Sequence, residues 1–68
     1  MSVVKIITLV SESPKSWEDA MKSLIAEAQK TLRGITRIGV TEFDVRMGDD
    51  NKVDVYRVKA DVSFRVER

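Results

Sequence analysis

The sequence contains neither cysteine nor histidine among its 68 residues. Without cysteine no disulfide can form, and without either residue the usual protein ligands of zinc and haem are missing. Only cations that prefer oxygen ligands, such as calcium or magnesium, remain as metal partners. A chain of this length buries only about 60% of the surface that it exposes when unfolded, so such small domains usually need additional stabilisation. Self-association is the remedy that this composition favours.

The chain also lacks an excess of one charge and a long apolar run. Twelve basic residues stand against eleven acidic ones, whereas a nucleic-acid-binding surface needs a basic excess gathered on one side. The longest nearly apolar stretch, Val3 to Val10, is interrupted by Lys5 and is too short to span a bilayer. No signal-peptide pattern is present. We therefore predict a soluble cytoplasmic protein that binds neither nucleic acid nor membranes.

Residues that commonly perform catalysis are scarce as well. No histidine or cysteine is available as a base or nucleophile. The sequence has no glycine-rich phosphate loop, and the spacing of its carboxylates does not indicate a pair in one cleft. We therefore assign no catalytic residue and reject an enzymatic function.

Hydrophobic periodicity predicts the order strand, helix, strand, strand in a single domain over residues 1–68. The β-branched run Val3 to Val10 predicts a first strand with apolar residues on both sides. Ser16 then provides an N-cap, and Gly34 can take the left-handed conformation that closes a helix. Between them, apolar residues recur with helical spacing. These are Trp17, Ala20, Met21, Leu24, Ile25, Ala28 and Leu32.

Two further strands are predicted, from Ile35 to about Met47 and over residues 53–66, joined as a hairpin by the turn Gly48 to Lys52. In the last strand, alternate residues form a core face: Tyr56, Val58, Ala60, Val62, Phe64 and Val66. We predict an α+β fold, β-α-β-β, in which a three-stranded antiparallel sheet wraps around one helix.

The second face of this sheet is predicted to carry charged residues together with apolar ones. Its predicted members are Arg57, Lys59, Asp61 and Arg65 from the last strand and Arg37, Gly39, Thr41 and Phe43 from the second. Phe43, Val45 and the second apolar side of the first strand would be exposed together on a solvated face. An assembly in which neighbouring copies stack these faces would cover them.

Three phrases carry a resemblance to a known family: "SPKSWEDA" at the start of the helix, "AQKTLRGI" at its end, and the closing "VYRVKADVSFRVE". In this order and at this spacing they resemble the dodecins, small β-α-β-β proteins that assemble as hollow twelve-subunit shells and bind flavins. The resemblance covers nearly the whole chain. It implies a homo-dodecamer that binds and stores a flavin, whether FMN, riboflavin or FAD.

The resemblance also implies where flavin contacts should lie. In flavin-binding dodecins a tryptophan near the start of the second strand stacks on the isoalloxazine ring, and this position falls on Arg37. A glutamine just after the tyrosine of the third strand bonds the pyrimidine edge, and this position falls on Arg57. Arg65 matches the family's phenylalanine-arginine ending. We therefore predict a cofactor site at Arg37, Arg57 and Arg65 whose flavin binding is altered or weak.

Each arginine also has a structural interpretation. The guanidinium of Arg37 either stacks on a ring or clamps an anionic ligand, as arginine can where lysine cannot, or it pairs with a carboxylate of a neighbouring subunit. Arg57 belongs either to a ligand pocket or to an intersubunit ion-pair network. Arg65 contacts either a phosphate tail or a carboxylate.

Several carboxylates offer oxygen ligands for a cation, namely Glu42, Asp44, Asp49, Asp50, Asp54 and Asp61. The segment "GDDNKVD" lacks the ligand order of an EF-hand, so we interpret most of these as solvated turn residues and assign no metal ligand. A cation held between subunits at a symmetry axis remains an alternative. The alternative function is therefore a dodecameric assembly without flavin, stabilised by ion pairs or by bound calcium.

Overall fold

The structure is a computed structural model, and it describes residues 3–66. It contains strand β1 (Val4–Ser13), helix α1 (Trp17–Thr31), strand β2 (Ile35–Met47) and strand β3 (Val53–Arg65). The strands form one antiparallel sheet in the order β1-β3-β2, so β3 lies in the centre. The predicted β-α-β-β order and antiparallel sheet are confirmed. Within residues 3–66 no helix is long and apolar enough to cross a membrane.

Helix α1 begins where the capping pattern predicts. The backbone of Ser16 is extended, and its hydroxyl accepts a hydrogen bond from the Asp19 N–H at 2.9 Å. The Asp19 carboxylate accepts a second bond from the Ser13 hydroxyl at 2.7 Å. Because Ser13 is the last residue of β1, this bond ties the start of the helix to the end of the strand.

The helix ends before Gly34. The Leu32 N–H donates to the Ala28 carbonyl at 2.9 Å, and Leu32 itself is already extended. Gly34 has the predicted left-handed backbone, with φ of 71°, but the prediction that it closes the helix is wrong. It instead turns the chain into β2, where its carbonyl accepts a hydrogen bond from the Arg65 N–H at 2.9 Å.

The hydrophobic core lies between α1 and one face of the sheet. Helical spacing brings three residues of α1 to this face, and two-residue spacing does the same in β3. The buried core residues are Ala20, Leu24 and Ala28 of the helix and Val58, Ala60 and Val62 of the strand. The predicted core face of β3 is thus confirmed at its centre, whereas Val66, just beyond the strand, is exposed.

Strand β1 continues three residues beyond its predicted end. Ser11, Glu12 and Ser13 pair with Val58, Arg57 and Tyr56 of β3. The polar segment "SES" contains none of the β-branched or aromatic residues that mark a strand. Pairing with the central strand therefore extends β1 where local propensity does not.

A register shift in β2 overturns one prediction. Val40 pairs with Ala60 and Glu42 with Lys59, so Thr41 is an extra residue in β2. Such an insertion moves the following side chains to opposite faces from those that simple alternation gives. Phe43 and Val45 consequently pair with Val58 and Tyr56 on the helix side of the sheet. The prediction that Phe43 shares the second face with Arg37 is wrong.

Gly34, just before β2, and Gly39, within it, provide a matched test. We expect Gly34→Ala to lower the free energy of unfolding by about 1–2 kcal/mol, because a left-handed backbone is unfavourable for any residue with a Cβ. The added Cβ would also lie 3.4 Å from the Arg65 carbonyl oxygen. A Cβ at Gly39 would meet nothing within 4 Å, so Gly39→Ala is expected to be neutral or slightly stabilising. Urea unfolding of both variants measures the difference, and equal losses would contradict it.

Candidate functional site

The sheet face turned away from α1 is the candidate site, and we call it the open face. Paired residues of neighbouring strands point to the same face, so the register arranges this face in cross-strand rows. In the order β1, β3, β2 the rows are Glu12, Arg57 and Asp44; Val10, Lys59 and Glu42; Thr8, Asp61 and Gly39; Ile6, Ser63 and Arg37; and finally Val4 with Arg65. The β1 column is mostly apolar, whereas the β3 and β2 columns are mostly polar or charged.

The apolar column of β1 is solvent-exposed within a single chain. Val4, Ile6 and Val10 expose 48%, 62% and 50% of their surface. The second apolar side predicted for the first strand is therefore real. Nothing in residues 3–66 covers it.

An ion-pair row crosses all three strands near the β2–β3 hairpin. The Nε of Arg57 lies 3.5 Å from Oε2 of Glu12 and 3.6 Å from Oδ1 of Asp44. Both distances exceed the about 2.7–2.9 Å of a short charge-assisted hydrogen bond. This Nε is buried and has no hydrogen-bond partner among the described residues. Arg57 is therefore held between the two carboxylates by charge more than by hydrogen bonds.

The next row adds a second ion pair, because Lys59 Nζ lies 3.4 Å from Oε1 of Glu42. The two rows border a shallow depression lined by Val10, Glu42, Asp44, Arg57, Val58 and Lys59. We call these two rows the hairpin half of the open face. It holds three carboxylates and two cationic groups, so its own formal charge is negative.

The opposite end of the open face is cationic. Arg37 pairs with Ser63, and Arg65 lies two residues further along β3, which places the two arginines diagonally, about 7–8 Å apart. None of the ion pairs among residues 3–66 involves either arginine. We call Arg37, Ser63 and Arg65 the arginine end. Beside it, Gly39 leaves open space above the sheet.

The structure thus separates the three predicted site residues. Arg57 lies six positions along β3 from Ser63, the partner of Arg37, a distance of about 20 Å along a strand. Arg37 and Arg65 are neighbours, but Arg57 is remote from both in one chain. A single small pocket that contains both Arg37 and Arg57 would need residues from two copies.

Sequence reasoning missed Glu12 and Asp44 as the partners of Arg57. Glu12 lies in the polar segment that was not predicted as strand, and Asp44 follows the unpredicted register shift. The alternation of β3 marked Arg57 as a residue of the second face, but only the pairing register identifies its neighbours.

The turn carboxylates have local roles, consistent with their interpretation as turn residues. Asp50 Oδ1 accepts a hydrogen bond from the Lys52 N–H at 3.1 Å. Asp54 Oδ2 accepts two bonds from Arg46, at 3.0 and 2.8 Å. Residues 3–66 contain no group of three or more carboxylates arranged to hold a metal ion.

Trp17 supports the ion-pair row from the other side of the sheet. Its indole N–H donates to the Asp44 carbonyl oxygen at 3.1 Å. Its ring meets Tyr56 and Phe43 edge to face, with centroid distances of 5.1 and 6.1 Å. Trp17 therefore fixes the backbone of β2 at the residue whose carboxylate faces Arg57.

These features define a class: a small α+β protein whose sheet covers one helix with one face and leaves its other, charged and partly apolar face uncovered. The family model for dodecins matches residues 3–67, and the chain belongs to the dodecin family. It is 35% identical, over 97% of its length and 92% of the relative's, to the calcium dodecin of Mycobacterium tuberculosis.

Solved structures agree with this assignment. A mutant dodecin of Thermus thermophilus superimposes with a TM-score of 0.90 at 34% identity, with both chains fully covered. The crystal structure of the M. tuberculosis calcium dodecin, described as calcium-chelating and as having a novel calcium-binding site, gives a TM-score of 0.85 at 33% identity. That comparison covers 97% of this chain and 93% of the other.

The role of Trp17 can be tested by removing its N–H while keeping a smaller aromatic ring. We expect Trp17→Phe to lower the free energy of unfolding by about 0.5–1.5 kcal/mol, the net value of one hydrogen bond, because phenylalanine keeps an aromatic ring against Tyr56 and Phe43. Trp17→Ala removes the ring as well and should cost more, about 2–3 kcal/mol, somewhat less than for a core aromatic residue because Trp17 is 40% exposed. Urea unfolding measures both, and a Trp17→Phe variant as stable as the parent would show that the bond to Asp44 contributes nothing.

Proposed function

We propose that this dodecin is a cytoplasmic homo-dodecamer that acts as a binding assembly without catalytic activity, and that its affinity for flavins is weak. The observation that carries the proposal is the position of Arg57 between Glu12 and Asp44. At the position where flavin-binding dodecins offer a neutral amide to the flavin, this chain has a cation occupied by two carboxylates.

The open face supports self-assembly. Exposed Val4, Ile6 and Val10 form one apolar column beside two polar ones, and an uncovered apolar patch on a small protein marks an interaction surface. Burying it between copies would also supply stability that a 68-residue chain without disulfides lacks.

The arginine end supports a role in ligand binding. Arg37 stands where the ring-stacking tryptophan is expected, and a guanidinium can still stack on a flat ring, although with less surface than an indole. Arg65, diagonal to it, adds a second cation suited to a phosphate group. FMN is therefore expected to bind here more tightly than riboflavin, and both only weakly.

Calcium is the second candidate ligand. The specific observations in its favour are the 35% identical relative named calcium dodecin and the carboxylates Glu12, Glu42 and Asp44 on the open face. Carboxylate oxygens are the ligands that calcium and magnesium prefer. Under this candidate function, the cation stabilises the assembly and no flavin is stored.

The assembly is tested by light scattering coupled to gel filtration. The expected mass is about twelve times the 7.7 kDa of one chain. Ile6→Lys places a charge in the apolar column and should yield smaller species, whereas Gln29→Lys, on the exposed side of α1, should not. A parent protein that elutes as a 7.7 kDa monomer would refute the dodecamer.

Flavin binding is tested by the quenching of riboflavin fluorescence. The parent protein should bind weakly, and Arg37→Trp combined with Arg57→Gln should raise the affinity by about tenfold or more, since stacking a base on an aromatic ring is worth about 1–3 kcal/mol. Riboflavin is the better probe because it lacks a phosphate that Glu12 and Asp44 would repel once Arg57 is removed. The control is Arg46→Gln combined with Lys30→Gln, which also removes two positive charges, at the pairs with Asp54 and Glu27, and should change nothing.

Two outcomes would decide against flavin. If neither riboflavin nor FMN fluorescence is quenched even at a protein concentration of about 100 μM, which would half-fill a weak site with a Kd of that order, the flavin function fails. If the melting temperature then rises with added calcium, by mass action on the folded state, the cation-stabilised assembly becomes the supported function. A parallel titration with magnesium separates a calcium-selective site from one that accepts either cation.

A further inference from the structure

We infer that Glu12 and Asp44 are specificity-determining residues, because by holding the Arg57 guanidinium they prevent the hairpin half of the open face from binding phosphate-like oxyanions. The inference rests on the proposed function only in treating the open face as a binding surface. It does not depend on flavin or calcium being the ligand.

The geometry around Arg57 differs from that of a hydrogen-bonded pair of one arginine and one carboxylate. Arg46 bonds one oxygen of Asp54 through two nitrogens, at 3.0 and 2.8 Å. Arg57 instead lies between two carboxylates on opposite neighbouring strands, with its Nε 3.5 and 3.6 Å away and without a hydrogen bond. One guanidinium thus faces two negative charges, and its side chain is still 42% exposed.

The hairpin half and the arginine end carry opposite net charges, so an oxyanion is attracted to the arginine end and repelled by the hairpin half. In the hairpin half, Glu12, Asp44 and Glu42 outnumber Arg57 and Lys59. At the arginine end, Arg37 and Arg65 have no ion-pair partner among residues 3–66. Neutralising Glu12 and Asp44 would reverse the sign of the hairpin half, because two cations would then face one carboxylate. Arg57 and Lys59, two residues apart on one face of β3, would become a pair of donors for a phosphate.

The experiment uses the isosteric double variant Glu12→Gln with Asp44→Asn and inorganic phosphate as the probe. The melting temperature is followed against phosphate concentration at an ionic strength held constant with sodium chloride, because a ligand that binds the folded state raises it. We expect the phosphate concentration that gives half the maximal shift to fall about tenfold relative to the parent protein. Adding Arg57→Gln to the double variant should abolish this gain.

A second double variant controls for net charge. Glu18→Gln with Glu27→Gln removes two carboxylates that pair with lysines on the exposed side of α1, and it should leave the phosphate response unchanged. The inference is overturned if the first double variant shows no gain, if the gain persists without Arg57, or if the control gains as much.

A single variant keeps the test decisive if the double variant does not fold. Asp44→Asn alone leaves one carboxylate, Glu12, beside the Arg57 guanidinium. It should lower the phosphate concentration for half the maximal shift by less than the double variant does. If this concentration does not fall, the inference is refuted as well. The phosphate response is measured without flavin or calcium. A protein that fails both ligand titrations can therefore still pass or fail this test.

Discussion

One helix can cover only one face of a three-stranded sheet, and this constraint determines the rest of the molecule. The face that packs against α1 is filled by small and branched residues centred on Leu24 and Val62. The described chain contains no second helix, so the open face remains uncovered while Ile6 and Val10 are exposed on it. A face with this composition is suited to contact with other molecules, and its pattern of charges decides which ones.

That pattern follows from the central position of β3. From Arg57 to Ser63, each residue on its open face has a neighbour in β1 and in β2, so the register sets its electrostatic surroundings. Arg57 lies between two carboxylates, whereas Arg65 lies beside Val4 and has no paired residue in β2. Arg57 and Arg65 therefore lie on the same face of one strand and in similar local sequences, but only Arg57 has carboxylate partners among residues 3–66. Half-exposed pairs of this kind contribute little to stability, so their main effect is on what can bind.

The sequence was sufficient for the features that local patterns encode. The helix from its Ser16 cap, the core alternation of β3 and the hairpin between β2 and β3 could all be predicted, because each depends on residues close in the chain. The extra residue at Thr41 was missed, although the apolar positions change phase there, from Val40 to Phe43 and Val45. That change is a weak signal of a bulge, and the pairing with β3 establishes the shift. The partners of Arg57 depend on that same pairing. The fold was thus largely predictable, whereas the composition of the candidate site was not.

Arg37 and Arg57, the two arginines that we propose stand at flavin-contacting positions, also differ in their surroundings. A glutamine at position 57 would leave the carboxylates of Glu12 and Asp44, on either side of β3, without the cation that lies between them, and their mutual repulsion would no longer be offset. Arg57 and its two partners are therefore best regarded as one unit. Arg37 has no such dependence, because Ile6 and Ser63, its neighbours in the row, are uncharged. Under the proposed function, the change at the hairpin half is consequently electrostatic, whereas at Arg37 the main loss is the aromatic surface on which a flavin ring would stack.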